Sequence, residues 1–257
     1  VQISATIITF NEEKNIAEAI ESVAWADEIL IVDAESTDDT RRIAESLGAK
    51  VVTQKWLGFA KQKQFAVDNA AFDWIFSLDA DERISEKLKA EILELKTQAE
   101  TADGYRVSRL SFYMNQPIRH GGWYPDWQIR FFNRKNARWK DVSIHESVEV
   151  EGKVEKLKGD IMHYSWEGAE HHHRMIGERY APLAARRDFE SGKRTSRFKI
   201  ITAGPIAFLQ TYILKAGFLD GFPGFCIARF AGHLAFLKQL HLHELEQSDE
   251  KADFTTI

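Results

Sequence analysis

The sequence predicts an α/β protein: a mainly parallel sheet, extended by an antiparallel addition and followed by a C-terminal helical extension. Three observations carry this expectation. Strand and helix patterns alternate through residues 1–103, aromatic-rich strand patterns take over from Gly104, and helical periodicity runs from Glu167 to about Glu246.

Residues 3–10 read as a buried strand rich in β-branched side chains, and a helix follows over 14–23 with Ile16, Ala19, Ile20 and Val23 on one face. A second strand, 28–33, ends in Asp33. Ser36 and Asp39 have the spacing of a capping box ahead of a helix that runs to Leu47 and stops at Gly48. Residues 50–53 form the third strand, 59–70 the third helix and 74–78 the fourth strand, which runs into Asp79-Ala80-Asp81; Ser85 then starts a charged helix to about Ala99. Beyond Gly104, residues 105–114, 128–133 and 143–150 read as strands, broken by the Gly121-Gly122 loop. The expected division is a catalytic domain over 1–166, with a donor half 1–103 and an acceptor-side half 104–166, and a helical extension over 167–257.

Composition narrows the function. A chain of 257 residues with 44% hydrophobic and 28% charged residues folds around a core. A formal net charge of -5 argues against a nucleic-acid partner, which calls for a basic face. The single cysteine, Cys226, forms no intrachain disulfide and fits a reducing compartment. Residues 2–10 lack the basic leader of a secretory signal, and the apolar run 200–214 is short of the roughly 20 residues that span a bilayer. The expected location is cytoplasmic.

Parallel α/β sheets bind ligands at the carboxyl ends of their strands, where Asp33 and the Asp79/Asp81 pair fall. In an extended segment, carboxylates two residues apart project to the same side and repel unless a cation or a donor lies between them. Mg²⁺ or Mn²⁺ suits such oxygen ligands and is commonly shared with substrate phosphates. Asp-x-Asp also occurs as an acidic turn ahead of a helix; its place at the end of a fourth strand sets this one apart.

Thr9-Phe10-Asn11-Glu12, the segment Ile31-Val32-Asp33-Ala34-Glu35-Ser36-Thr37-Asp38-Asp39-Thr40 and Leu78-Asp79-Ala80-Asp81-Glu82 occur in that order. Together they resemble the motifs of family 2 glycosyltransferases. The resemblance covers most of the chain and implies a GT-A fold, the Rossmann-like mixed sheet of nucleotide-diphospho-sugar transferases. It further implies an inverting, metal-dependent transfer from a nucleotide sugar. By the same resemblance Thr9, Asn11, Glu12 and Asp33 line the nucleoside pocket, Asp79 approaches the ribose and Asp81 ligates the metal. Lys63, with Lys61 as a rival, lies where a cation near the donor phosphates is expected. Trp56-Leu57-Gly58-Phe59, Asp81-Glu82-Arg83, the loop from Gly121 to Asp126 and Ser143-Ile144-His145-Glu146 resemble the branch of bacterial lipopolysaccharide-core glucosyltransferases. That points to UDP-glucose as donor and a lipid-linked saccharide as acceptor.

An inverting transfer needs a base for the acceptor hydroxyl. The family's usual Glu-Asp motif is absent here. Asp126 is the candidate, beside Trp123, Tyr124 and Trp127, whose rings suit sugar stacking; Glu146 is the reserve. His145 is the expected extra metal ligand, with His163 as competitor. Arg130 is an acceptor-side or diphosphate cation, and Arg134 and Arg138 suit salt bridges on a sheet surface equally well. His171-His172-His173 reads as surface, because consecutive helical positions point apart.

Between Arg174 and Lys215 bases outnumber acids in a chain whose total is negative, and aromatic-rich helices follow. Such a combination suits the surface of an anionic membrane, so the chain is expected to sit peripherally on the inner face of the cytoplasmic membrane. Packing of those aromatics on the catalytic domain or a second subunit is the alternative. Transfer to polyprenyl phosphate and non-catalytic sugar-nucleotide binding are the competing functions.

Overall fold

The structure, a computed structural model, describes residues 1–97, 102–140, 146–164 and 168–254, with side chains to 248. The chain divides into two compact units: Val1–Leu110 with Pro125–Ser165, and Ser111–Tyr124 with Trp166–Ile257.

The first unit carries the fold class expected from the sequence. Strands β1 (Ile3–Thr9), β2 (Glu28–Asp33), β3 (Lys50–Thr53) and β4 (Trp74–Asp79) lie parallel in the order β3-β2-β1-β4. Every residue of β1 is buried, because both faces of the sheet are covered. Alternation along the strand sorts its side chains. Ile3, Ala5 and Ile7 share a core with α1 (Ile16–Ser22) and α2 (Thr40–Ser46), whereas Ile8 packs with Ala60, Ala66 and Val67 of α3 (Phe59–Asn69).

A short strand β5 (Glu82–Ile84) and helix α4 (Glu86–Thr97) follow, and the sheet then turns antiparallel. β6 (Gly104–Tyr113), which runs on into the second unit, and β8 (Asp126–Asn133) add beside β4; β11 (Val154–His163) and β5 complete the order β4-β8-β6-β11-β5. The two halves are stitched by aromatic packing: Phe131 stacks on Tyr105 at 5.4 Å and meets Trp74 at 4.8 Å between ring centres. Gly159 on β11 lies so close to the backbone of α4 at Leu88 that no Cβ would fit. β9 (Ala137–Lys140) and β10 (Ser147–Val150) form a separate two-stranded sheet. The expected strand 143–150 is seen over its described part only.

The second unit is helical, apart from β7 (Gln116–Pro117), which pairs with the end of β6. Helix α5 (Ala169–Met175) continues through a π turn, Ile176–Tyr180, into α6 (Ala181–Glu190). Helix α7 (Arg197–Leu209) starts at Ser196, whose hydroxyl caps the Lys199 amide. It runs into a π turn, Gln210–Leu214, and a 3-10 turn, Gly217–Asp220, before α8 (Gly221–Phe254) returns alongside it. The two helices touch where Gly204 faces Gly232; a Cβ on Gly232 would lie 2.9 Å from the Gly204 carbonyl. Buried Asp188 ties α6 to α8 by accepting from Lys193 at 2.8 Å and Lys238 at 2.9 Å.

The histidine run corrects the sequence reading. His172 is buried, stacked on Phe230 at 4.1 Å, with Nδ1 3.3 Å from the Tyr113 hydroxyl. Pointing apart, the three imidazoles reach different environments, and the middle one reaches core. Burial, with His171 adjacent, pushes the His172 pKa down from 6.5 to about 4. Buried neutral, His172 stabilises the fold fully above its unfolded pKa; that stability is lost as pH falls from 6.5 towards 4, where the unfolded chain binds the extra proton. We expect the loss to reach at most about 3 kcal/mol. Denaturant midpoints measured across this range should fall for the wild-type chain and fall less steeply for His172→Phe; parallel slopes refute the assignment.

Candidate active site

The register of the parallel strands sets the site. Thr9 pairs with Asp33 and Ile8 with Asp79, so the carboxyl ends of β1, β2 and β4 stop at one level. The loops that leave β1 and β2 are laced together there. Asp33 is fully buried and accepts from Thr9 Oγ1 at 3.0 Å, Ser36 Oγ at 2.5 Å and the Ser36 amide at 2.9 Å. The Asn11 amide donates to Ser36 Oγ and the Glu12 amide to Thr40 Oγ1, while Asn11 Oδ1 accepts from the Thr37 amide. Asn11 and Glu35 hold left-handed backbone, φ 54° and 63°, where the loops reverse. Asp33 therefore spends its carboxylate on the shape of these loops, and Asn11 and Glu12 stand on their rim.

Asp79, at the end of β4, is the centre of a second cluster. Lys63 from α3, almost fully buried, places Nζ 2.8 Å from Asp79 Oδ1 and 3.6 Å from Glu146 Oε1, and lies 4.9 Å from the centre of the Trp139 ring. Arg130 from β8, equally buried, donates to Asp79 Oδ2 at 3.0 Å and to Glu82 Oε1 at 2.8 Å. Glu82 is completely buried; its other oxygen accepts the Asp79 amide at 2.9 Å. Burial raises the Asp79 pKa, but the charges of Lys63 and Arg130 overcome it and hold the carboxyl well below the usual range. Burial likewise opposes charge on Arg130, while Glu82 and Asp79 hold its pKa above the ordinary value.

Asp81 behaves differently. It sits in the turn between β4 and β5, not in the extended segment that the sequence suggested, so alternation does not aim it alongside Asp79. Its carboxylate keeps 24% exposure and lies 3.2 Å from His163 Nε2 at the end of β11, while its carbonyl accepts the Tyr164 amide. Among the described residues no three His, Cys, Asp or Glu side chains gather as a ready-made metal cage. Asp81 and His163 nonetheless have donor chemistry that would suit a divalent cation: a partly exposed carboxylate and an imidazole stand 3.2 Å apart at this end of the sheet. An ion held by one carboxylate normally completes its shell with water and substrate phosphate. His145 lies outside the described residues.

Asp126, at the start of β8, is gripped by Arg109 through Nε at 2.9 Å and a terminal nitrogen at 2.7 Å, and by Gln128 Nε2 at 2.8 Å. Arg109 also lies 3.6 Å from Glu82, so a chain of ion pairs runs from Lys63 to Asp126. Lys156 covers the neighbouring Trp127 ring at 4.5 Å. Lys61 is exposed on α3, and Arg138 is exposed on β9. Arg134 braces Asp73 and the carbonyls of Val67 and Ala70. In the second unit, Trp123 packs with Tyr113, Ile118 and Ile227, and Tyr124 lies under Arg119 at 5.5 Å. Two members of the ion-pair chain, Glu82 and Arg109, received no role from the sequence. The signal for Glu82 was its place directly after Asp81; for Arg109 it was a charge inside an apolar strand.

The model described as Glycosyl transferase family 2 matches residues 4–149. A glycosyltransferase of Rickettsia typhi, itself uncharacterized, is 34% identical over 259 residues, 95% of this chain and 87% of that protein. The lipopolysaccharide core biosynthesis glycosyltransferase LpsC of Rhizobium meliloti is 31% identical, over 94% of this chain and 92% of the relative. Among solved structures, residues 1–349 of TarS from S. aureus align with a TM-score of 0.49 at 13% identity, covering 96% of this chain and 92% of TarS.

Removing one partner from a buried ion cluster strands the others, at a cost of about 3–5 kcal/mol. Glu82→Gln should therefore lower unfolding stability by roughly 3 kcal/mol, whereas Arg138→Gln on the exposed strand should change it by less than about 0.5 kcal/mol. Urea melts of the two variants measure the contrast; equal midpoints would show that the cluster carries no stability.

Proposed function

The chain belongs to glycosyl transferase family 2, and from that premise we propose that it is an inverting, metal-dependent hexosyltransferase. The donor is a nucleotide sugar, with UDP-glucose as the specific choice. The acceptor is a lipid-linked saccharide such as the inner core of lipopolysaccharide, met at the inner face of the cytoplasmic membrane. The relative active in lipopolysaccharide core biosynthesis supports the acceptor class.

One observation carries the reading: two acids at the end of β4 are kept in different states. Asp79 is neutralised by Lys63 and Arg130, while Asp81 keeps an open carboxylate beside His163. The nucleoside would lie against the laced loops of Thr9, Asn11, Glu12 and Asp33, with Asp33 acting through the loop it shapes. Asp81 and His163 would hold Mg²⁺ or Mn²⁺. When bound, such an ion supplies Lewis-acid stabilisation of the leaving diphosphate.

The chain's own residues do the rest. Lys63 and Arg130 place two fixed cations at the strand end where negative charge accumulates as the bond between the anomeric carbon and the diphosphate oxygen breaks. Asp126 takes the proton of the acceptor hydroxyl as that oxygen forms its new bond to the anomeric carbon from the opposite face, which inverts the configuration. Arg109 and Gln128 fix the carboxylate for that transfer. Trp127 offers an apolar ring beside it for the acceptor.

Release of UDP from UDP-glucose, with Mn²⁺ and a deacylated core oligosaccharide, tests the assignment. Asp81→Ala should lower kcat about 10³-fold, the weight of several kcal/mol of Lewis-acid stabilisation. Asp126→Asn should lower transfer by about 10²–10⁴-fold while UDP binding persists. If Glu146→Gln produces the larger loss, the base is Glu146 and not Asp126. Metal-dependent UDP binding without turnover on any acceptor would make the protein a sugar-nucleotide binder.

A further inference from the structure

The second unit exposes apolar surface on a scale that its own packing does not explain. No residue of α7 is buried. Around the bend that joins α7 to α8, Ile206 and Leu209 are half exposed, Leu214 is 79% exposed, Leu219 60% and Phe222 68%; nearer the start of α7, Phe198 is 74% exposed. Isolated exposed apolar side chains are ordinary, but a contiguous run marks a surface that meets something. Their neighbours at the bend are locked: Thr211 and Gly217 are buried, Gly217 approaches the Thr211 carbonyl, and Asp220 accepts the Arg119 and His120 amides and the His120 ring. The bend is thus a built shape that holds its leucines and phenylalanines outward.

Charge selects the occupant. From Ser191 to Leu219 the sequence carries Lys193, Arg194, Arg197, Lys199 and Lys215 and no acid. A second copy joined through the same face would bring a second set of these bases into the interface, with no acid from this segment to offset them. An anionic lipid surface complements both features, apolar side chains entering the acyl boundary and bases meeting head groups. No described helix is both long and apolar enough to cross a membrane. Pro205 also interrupts the amide ladder of α7.

We infer that the bend between α7 and α8, led by Leu214, Leu219 and Phe222, is a membrane-insertion edge that enters one leaflet of an anionic bilayer without crossing it. The inference deepens the proposed function, since it names the surface that brings the enzyme to a lipid-borne acceptor.

Flotation of the full chain with vesicles of phosphatidylcholine alone, or of phosphatidylcholine with phosphatidylglycerol, tests it, alongside UDP release measured on soluble acceptor. Wild type should float with the anionic vesicles. Leu214→Asp/Leu219→Asp should reduce the bound fraction about tenfold or more, with UDP release unchanged. Arg197→Gln/Lys199→Gln should weaken the preference for anionic lipid. The inference is overturned if wild type floats with neither vesicle, if the Leu214/Leu219 variant floats like wild type, or if that variant instead converts a wild-type dimer to monomer. A chain that floats but releases no UDP supports the insertion edge and overturns only the catalytic reading.

Discussion

The carboxyl end of the sheet depends on one balanced set of buried charges, Lys63 and Arg130 against Asp79 and Glu82. None of the four is tolerable alone in that environment; together they cancel. They also join elements that the sheet joins only in part. The paired register of β4 and β8 runs from Trp74 to Phe76 and stops short of Asp79. Beyond it Arg130 reaches across to Asp79 and Glu82, and Lys63 ties α3 to the same point. Ion pairs replace backbone hydrogen bonds where the two halves of the sheet part. A ligand-binding cleft in an α/β sheet needs an end that is open to substrate yet fixed in position.

That arrangement gives the two acids of the Asp79-Ala80-Asp81 segment unlike duties. Asp79 holds cations in place and has little capacity left for a metal. Asp81, with a single histidine beside it, retains lone pairs for one. Lys63 stands between Asp79 and Glu146, so an incoming diphosphate would find it already desolvated and aimed. Preorganised cations of this kind need little rearrangement as charge moves onto a leaving group.

The parallel half of the fold was legible because its signals are local. β2 and β3 follow the sequence expectation residue for residue, and β1, β4, α1, α3 and α4 differ by a residue or two at their ends. Helix α2 starts at Thr40 after Asp39, three residues beyond the expected cap Ser36, whose hydroxyl and amide donate to Asp33 instead. Asp33 and Asp79 were legible as strand ends for the same reason. The antiparallel half was legible only in part: β5, β7, β9 and β11 have no counterpart in the sequence reading. β5 is three residues long, and β11 carries lysines and Gly159 where a strand pattern asks for β-branched residues; its pairing with β5 and its packing on α4 decide it. Partners were hardest to foresee. The sequence reading gives Arg130 an acceptor-side or diphosphate role, whereas the fold gives Asp126 to Arg109 and Arg130 to Asp79 and Glu82. Pairings of residues tens of positions apart are set by tertiary register, which composition and periodicity do not encode.

The apolar bend of the second unit follows from the same physics as the core, read in reverse. Burying leucine and phenylalanine against protein is favourable, and folding seldom leaves many of them exposed together. Here the bend is rigidified by Gly217, Thr211 and Asp220, so its outer side chains have no way to collapse inward. An unfilled apolar edge, in a segment whose charged residues from Ser191 to Leu219 are all bases, is a cost to the free chain that a partner would remove. If the acceptor is lipid-linked, as proposed, a shallow and reversible hold at this edge would confine enzyme and acceptor to one surface, raise their effective concentration and let the protein leave after transfer.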